Sequence, residues 1–67
     1  MIGERIKELR KKNNLTQSEF GSKIAISQTH ISKIENGEEH ISRAVIKLIS
    51  IVFSVQEEWL LNGEKKR

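Results

Sequence analysis

The sequence predicts an all-α domain, on three observations. It contains no proline and only four glycines among 67 residues, which is typical of a helical chain rather than of a turn-rich β-sheet. Apolar residues recur at intervals of three and four along most of the chain, and no stretch alternates as a β-strand does. The length suits one small domain, and the absence of cysteine excludes a disulfide or a thiolate-bound zinc. We therefore expect a compact five-helix domain over residues 1–63, followed by a basic tail or severed linker at 64–67.

The first helix is predicted from Ile2 to about Asn13. Ile2, Ile6 and Leu9 follow i, i+4, i+7 spacing and make one apolar stripe. Asn13-Asn14 supplies the stop. Basic residues crowd this helix, and taken alone they indicate a solvated helix face, as does a net charge of only +3; they are Arg5, Lys7, Arg10, Lys11 and Lys12.

The second helix has the clearest local signal. Thr16-Gln17-Ser18-Glu19 is a capping box, in which Thr16 accepts from the Glu19 amide and Glu19 reaches back to the amide of Thr16. Phe20 and Ile24 are expected to face the core. Gly21 lies inside the helix, where glycine costs up to about 1 kcal/mol relative to alanine. It therefore predicts that another backbone segment packs close by.

A tight turn at Ala25-Ile26 is expected to lead into the third helix, with Ser27 as its N-cap. This helix is predicted over about 28–36, and Gly37 closes it as the C′ residue. The residues of this helix fall on two faces, one apolar and one polar. Ile31 and Ile34 point inward, and the opposite side is polar; that side carries Gln28, Thr29, Ser32, Lys33 and Asn36.

The fourth helix is predicted from about Ser42 to Phe53. We expect its core stripe at Val45, Leu48, Ile49 and Val52, with Ile46 and Ile51 off that stripe. A short fifth helix, at about 56–61, carries Trp59 and Leu60 and ends at Asn62-Gly63.

The segments Leu15-Thr16-Gln17, Ser27-Gln28 and 31–37 (ISKIENG) closely resemble the helix-turn-helix family of phage Cro and CI repressors. The resemblance extends from Ile2 to Gly63 and implies a lambda-repressor-like fold with the helix-turn-helix at the second and third helices. Family members usually carry glycine where Ala25 stands, because the turn often takes a left-handed conformation there. Alanine in that conformation costs on the order of 1 kcal/mol. The family also tends to have serine or threonine in place of Gln56, which makes that cap weaker here.

The polar face of the third helix offers groups suited to reading base edges in the major groove. An amide fits adenine N6 and N7, an ammonium fits guanine O6 and N7, and a threonine methyl packs on a thymine methyl. Gln28, Lys33 and Thr29 supply one of each. The resemblance maps base contacts onto these positions, and Ser32 joins them as a candidate. The alternative is that such residues are simply common on exposed helices.

The resemblance implies a second set of side chains that bind the DNA backbone. Gln17, at the positive end of the second helix, is expected to bind phosphate and to brace Gln28. Ser27 and Asn36 are further phosphate contacts by resemblance. Two arginines have less direct roles. By resemblance, Arg10 pairs with Glu35 in a mainly structural ion pair and has a secondary phosphate role. Arg43 either reaches the minor groove or is an ordinary exposed arginine.

The expected function is a sequence-specific transcriptional regulator, acting as a homodimer on an inverted-repeat operator in double-stranded DNA. Ile51 and Trp59 are the predicted dimer contacts, although Trp59 also suits a role in closing the core. His30 and His40 lack the partners for catalysis or metal binding, so we expect no enzyme activity, metal or cofactor, and no small-molecule ligand. Without a signal peptide or spanning segment, the expected location is the cytoplasm.

Two alternatives remain open from the sequence. The same fold could serve as a protein-interaction module, with a surface made of Ile46, Ile51, Val55 and Trp59. The chain could also be the DNA-binding fragment of a larger regulator whose sensing domain lies elsewhere.

Overall fold

The computed structural model describes residues 2–63, and these form five helices joined by short connections. The helices are α1 (Ile2–Lys12), α2 (Gln17–Lys23), α3 (Gln28–Glu35), α4 (Arg43–Phe53) and α5 (Glu57–Asn62). The all-α prediction is confirmed, and each predicted boundary lies within one residue of the observed one. The tail predicted at 64–67 lies outside the described residues.

Local hydrogen bonds explain why these helices start where they do. The capping box of α2 is present in both directions, with the Glu19 amide donating to Thr16 Oγ1 at 3.0 Å and the Thr16 amide donating to Glu19 Oε1 at 2.8 Å. Ser27 and Ser42 cap α3 and α4. Gln56 makes no side-chain cap at α5, as the sequence indicated.

The core lies between all five helices and consists of aliphatic side chains around one aromatic pair. Phe20 is fully buried, and its ring stacks on that of Phe53 with centroids 4.7 Å apart and planes at 10°. The remaining buried apolar residues are Ile6, Leu9, Ile24, Ile31, Ile34, Ile46, Ile49 and Leu60. The inward positions predicted for α1, α2 and α3 are confirmed.

The predicted core stripe of α4 is wrong at two of its four positions. Leu48 and Val52 are 37% and 41% exposed, whereas Ile46, expected off the stripe, is only 2% exposed. The buried side runs instead through Ile46, Ile49 and Phe53, which satisfy helical spacing equally well. Because α4 is apolar on more than one face, its sequence allows either rotation. Packing selects the one that brings Phe53 into the aromatic pair.

The turn between α2 and α3 depends on a close approach of two backbone segments. A Cβ added at Gly21 would overlap the carbonyl oxygen of Ile26, and the Ile26 amide donates to the Gly21 carbonyl at 2.8 Å. Ala25 lies between them with φ of 60°, in the left-handed region. The predicted close packing at Gly21 is confirmed. Ala25 takes the left-handed conformation although it carries a Cβ.

The first turns of α1 are fixed against both α3 and α5. A Cβ at the buried Gly3 would overlap the carbonyl oxygen of Ile34, so α1 packs tightly on the end of α3. Arg5 donates from Nε to the Leu60 carbonyl at 2.7 Å and from Nη2 to the Leu61 carbonyl at 2.9 Å. These carbonyls belong to the last turn of α5, where a helix lacks internal donors. One arginine thus links the first helix of the domain to the last.

Candidate nucleic-acid interface

The outer face of α3 presents polar side chains at its amino-terminal end and middle. Gln28, Thr29 and Lys33 are exposed, whereas Ser32 is half-buried. Asn36 is the exposed C-cap residue, with φ of −87° and ψ of 0°. The sequence-predicted separation of this helix into an apolar and a polar face is therefore confirmed, with Ser32 at the boundary between the two.

The amino-terminal end of α3 is held by its cap. Ser27 Oγ accepts from the His30 amide at 3.2 Å, and Ser27 itself is exposed. The His30 ring lies 3.4 Å from a carboxylate oxygen of Glu39 in the connection to α4. Thus His30 faces an acidic neighbour, while His40 is exposed in the same connection.

A continuous chain of hydrogen bonds joins the exposed face of α3 to the interior. Gln28 Nε2 donates to Gln17 Oε1 at 2.8 Å, and Gln17 Nε2 donates to Glu35 Oε1 at 3.1 Å. Arg10 donates to the same carboxylate from Nε at 2.7 Å and from Nη2 at 3.1 Å. The expected Gln17 brace and the expected Arg10–Glu35 pair are both present, and they belong to one network that spans α1, α2 and α3.

The charged end of this network is buried. The side chains of Arg10 and Glu35 are 12% and 2% exposed. Arg10 also donates from Nη1 to the Leu15 carbonyl at 3.0 Å, which ties the connection between α1 and α2 to the pair. A buried bidentate pair with its polar groups satisfied specifies geometry more than it adds stability, because desolvation offsets much of the attraction. The network therefore rigidifies the joint between α2 and α3.

Sequence reasoning missed two of these polar contacts. It did not anticipate that Gln17 bonds to Glu35, nor that Arg5 holds the end of α5. The helical period does place Ile31 inward one turn before Glu35, so a carboxylate on the buried side was a usable signal. No comparable local signal marks Arg5, whose partners lie 55 and 56 positions away.

The remaining predicted site residues lie on α4 and α5. Arg43 begins α4, is 76% exposed at its side chain, and lies 3.6 Å from Glu57. Ile51 is 67% exposed, whereas Trp59 is partly buried and packs against the core. These residues are not brought together with the polar face of α3 by any hydrogen bond or ion pair recorded among residues 2–63.

The geometry is that of a helix-turn-helix, with α2 and α3 joined by a tight turn and the second helix exposing polar groups. The chain matches the model of the Helix-turn-helix family (HTH_3) over residues 6–60, and it belongs to that family. Within residues 2–63, no helix is long and apolar enough to span a bilayer, and no cluster of three candidate metal ligands is present.

Three characterised bacterial proteins are similar in sequence. The antitoxin PezA of Streptococcus pneumoniae serotype 4 is 44% identical over 97% of this chain and 41% of its own length. The HTH-type transcriptional activator BcrR of Enterococcus faecalis is 39% identical over 96% of this chain and 31% of its own. The HTH-type transcriptional regulator SinR of Bacillus licheniformis is 35% identical over 92% and 57%. The chain thus spans less than two thirds of each of these relatives.

Two solved structures share the fold over nearly their whole length. The P22 c2 repressor in complex with a synthetic operator superposes with a TM-score of 0.87 and 28% identity, covering 96% of this chain and 97% of the repressor chain. SinR, the master regulator for biofilm formation, in complex with DNA gives a TM-score of 0.84 and 32% identity, covering 92% and 100%. The lambda-repressor-like fold expected from the sequence is confirmed.

Proposed function

We propose that this chain is a sequence-specific DNA-binding domain of a transcriptional regulator, which reads an operator with α3 in the major groove. The observation that carries the proposal is the braced amide of Gln28. An exposed glutamine normally samples many rotamers, whereas this one is held by Gln17 on an exposed helix face. A held amide presents two hydrogen-bonding groups in a plane, as base readout requires. Family membership and the DNA complexes of two structural relatives support the same function.

The base contacts follow from the exposed positions of α3. Gln28 and Thr29 enter the groove deepest, since the amino-terminal half of a recognition helix lies deepest. Lys33 contacts a base from the last turn of α3. Ser32, which is half-buried, contacts a base from the edge of this surface. Lys33 supplies the ammonium that suits guanine O6 and N7.

Backbone contacts fix the docking angle around this helix. Gln17 and Ser27 stand at the starts of α2 and α3, where free amides and the helix dipole favour a phosphate, and Asn36 contacts phosphate at the other end. Arg10 acts mainly through its pair with Glu35. Arg43 reaches DNA from the start of α4, for which it must leave its loose contact with Glu57.

Dimerisation gives the domain two half-sites about one helical turn apart. The exposed side of α4 carries Leu48, Ile51 and Val52, three large apolar residues at i, i+3, i+4 spacing. We place the self-association surface there, centred on Ile51. Trp59 contributes only an edge, because most of its ring packs against the core.

The biological setting is that of a bacterial cytoplasmic regulator, most simply a repressor that covers a promoter. The sequence relatives bear the names of an antitoxin, an activator and a regulator, and one structural relative is named a repressor, so repression and activation share this fold. The domain acts by binding rather than by catalysis and uses neither metal nor cofactor.

The direct test is selection of bound sites from a random pool of duplex DNA at near-physiological salt. We expect an inverted repeat to be recovered, and to be lost with Gln28→Ala and with Lys33→Ala. Lys47→Ala is the matched control, since Lys47 is an exposed lysine on α4, outside the helix-turn-helix. Recovery of no sequence above background would contradict the proposal.

A second candidate function is protein recognition through the apolar side of α4. The exposure of Ile51, at 67%, is the observation that favours it. Lys33→Glu separates the two functions, because it places a negative charge against DNA while leaving α4 unaltered. Loss of operator binding by this variant with a partner complex intact would show that both surfaces operate.

A further inference from the structure

We propose that Glu35 sets the direction in which Gln28 presents its amide and so determines which strand of the contacted base pair carries the adenine. The inference rests on the proposed function, since it concerns the base that Gln28 reads. Glu35 touches no DNA in this scheme. It acts through Gln17 and is a positioning residue.

The argument starts from the chemistry of the buried acid. A carboxylate accepts hydrogen bonds and donates none, and the Glu35 side chain is only 2% exposed. Arg10 occupies both oxygens, and Oε1 also accepts from Gln17 Nε2 at 3.1 Å. Whatever faces Oε1 must therefore be a donor.

This requirement fixes the Gln17 amide. With its Nε2 turned to Glu35, its Oε1 points to Gln28 and accepts from Gln28 Nε2 at 2.8 Å. The reversed amide would place two acceptors, Gln17 Oε1 and Glu35 Oε1, against each other. A buried carboxylate at one end of this chain of hydrogen bonds leaves a single consistent order of donors and acceptors.

The order of donors and acceptors is passed to the base by the hydrogen-bonding groups of Gln28 that Gln17 does not use. Gln28 Nε2 has two protons and gives one to Gln17 Oε1. In the proposed arrangement this is the proton anti to Oε1, which leaves the syn proton and Oε1 together on one edge of the amide. That edge matches adenine, with N7 accepting and N6 donating. Nε2 lies on the Gln17 side, and N7 is the purine atom nearer to its own backbone. The adenine is thus expected on the strand whose phosphate faces Gln17.

The same fixed order disfavours the alternatives. The reversed pair, T·A, puts the thymine methyl on the side where N7 stood and moves the acceptor–donor pair, thymine O4 and adenine N6, toward the centre of the groove. A G·C pair sets the acceptor O6 against the Gln28 oxygen. A freely turning amide would accept A·T and T·A more evenly. Glu35 therefore determines which strand must carry the adenine and adds little to the overall affinity.

The test measures affinity for three operators that carry A·T, T·A or G·C at one base pair and are otherwise identical. That base pair is the one at which the wild-type domain is selective and the Gln28→Ala variant is not. The wild-type domain should favour A·T over T·A by roughly tenfold. Glu35→Gln can offer a donor to Gln17, and Gln17→Met removes the link altogether. In both variants we expect the A·T to T·A ratio to fall about threefold to tenfold, toward one.

Controls separate positioning from a merely structural role. A weakened fold would reduce binding to all three operators equally and leave the ratio unchanged, and the ratio at the pair read by Lys33 should not change in any variant. Gln17→Met keeps the Arg10–Glu35 pair, so the test stands even if Glu35→Gln unfolds. An unaltered ratio in Gln17→Met, or in a folded Glu35→Gln variant, overturns this inference alone. A wild-type domain without preference among operators overturns the proposed function as well.

Discussion

Ala25 has a backbone conformation that is unfavourable for a residue with a Cβ atom. Its φ of 60° places it in the left-handed region, while most of its relatives are expected to have glycine there. The turn is nevertheless formed, because Gly21 lets the backbone of Ile26 approach and bond to it. The strain is thus local and is offset by the packing of α2 on α3.

Replacing Ala25 by glycine should stabilise the domain by about 1 kcal/mol, since glycine adopts this conformation without a Cβ clash. For a domain of this size the midpoint of thermal unfolding should rise by about 4–8 °C. Ala44→Gly is the matched control, because Ala44 is exposed in the first turn of α4 and the same change there should destabilise by up to about 1 kcal/mol. Equal shifts of the unfolding midpoint at both sites would contradict a strained left-handed conformation at Ala25.

At the scale of an element, α4 shows how one helix can serve two apolar surfaces. Ile46 and Ile49 fill the core, and Leu48, Ile51 and Val52 remain on the outside. A helix that is apolar on more than one face is stable in water only if the second face is small or is covered by a partner. The observed rotation therefore defines both the core and the proposed dimer surface.

The two faces of α4 should respond differently to truncation. Ile46→Ala should lower the free energy of unfolding by about 2–5 kcal/mol, since it removes a buried side chain. Ile51→Ala should change the stability of the monomer by no more than about 0.5 kcal/mol. Urea unfolding at low protein concentration measures both. A large loss for Ile51→Ala in the monomer would place that residue in the core instead.

One side chain of α1, Arg5, caps the carboxyl end of α5, whose apolar residues pack in the core. Arg5→Met should cost about 1–3 kcal/mol, because the carbonyls of Leu60 and Leu61 lose charged donors. Lys7→Met is the control, as Lys7 is an exposed cation on the same helix. Thermal unfolding of the two variants provides the comparison. If both lost the same stability, net charge rather than the cap would be responsible.

For the whole molecule, affinity depends on linking two recognition helices. A dimer engages its second half-site as an intramolecular event, so separating the protomers weakens binding to the full operator but not to one half-site. Charge on the apolar side of α4 is a direct way to separate them, because the cost of burying it falls on the dimer alone.

Ile51→Glu should therefore reduce affinity for the full operator by on the order of tenfold or more while leaving half-site affinity unchanged. Sedimentation over a concentration series should show the variant as a monomer where the wild type associates. Asn62→Glu, which adds the same charge at an exposed position of α5, outside the helix-turn-helix and off the apolar side of α4, serves as the control. A wild type that stays monomeric even with operator DNA would refute this interface.

Much of this molecule follows from local sequence. The cap residues Thr16 and Ser27 and the helical period placed every described helix to within one residue, and the division of α3 into two faces was predictable. These features depend on hydrogen bonds and spacings within a few residues, so the sequence alone determines them. The rotation of α4 and the Gln17–Glu35 bond were not predictable. Both depend on which residues, distant along the chain, meet when the helices pack, and only the tertiary structure decides that.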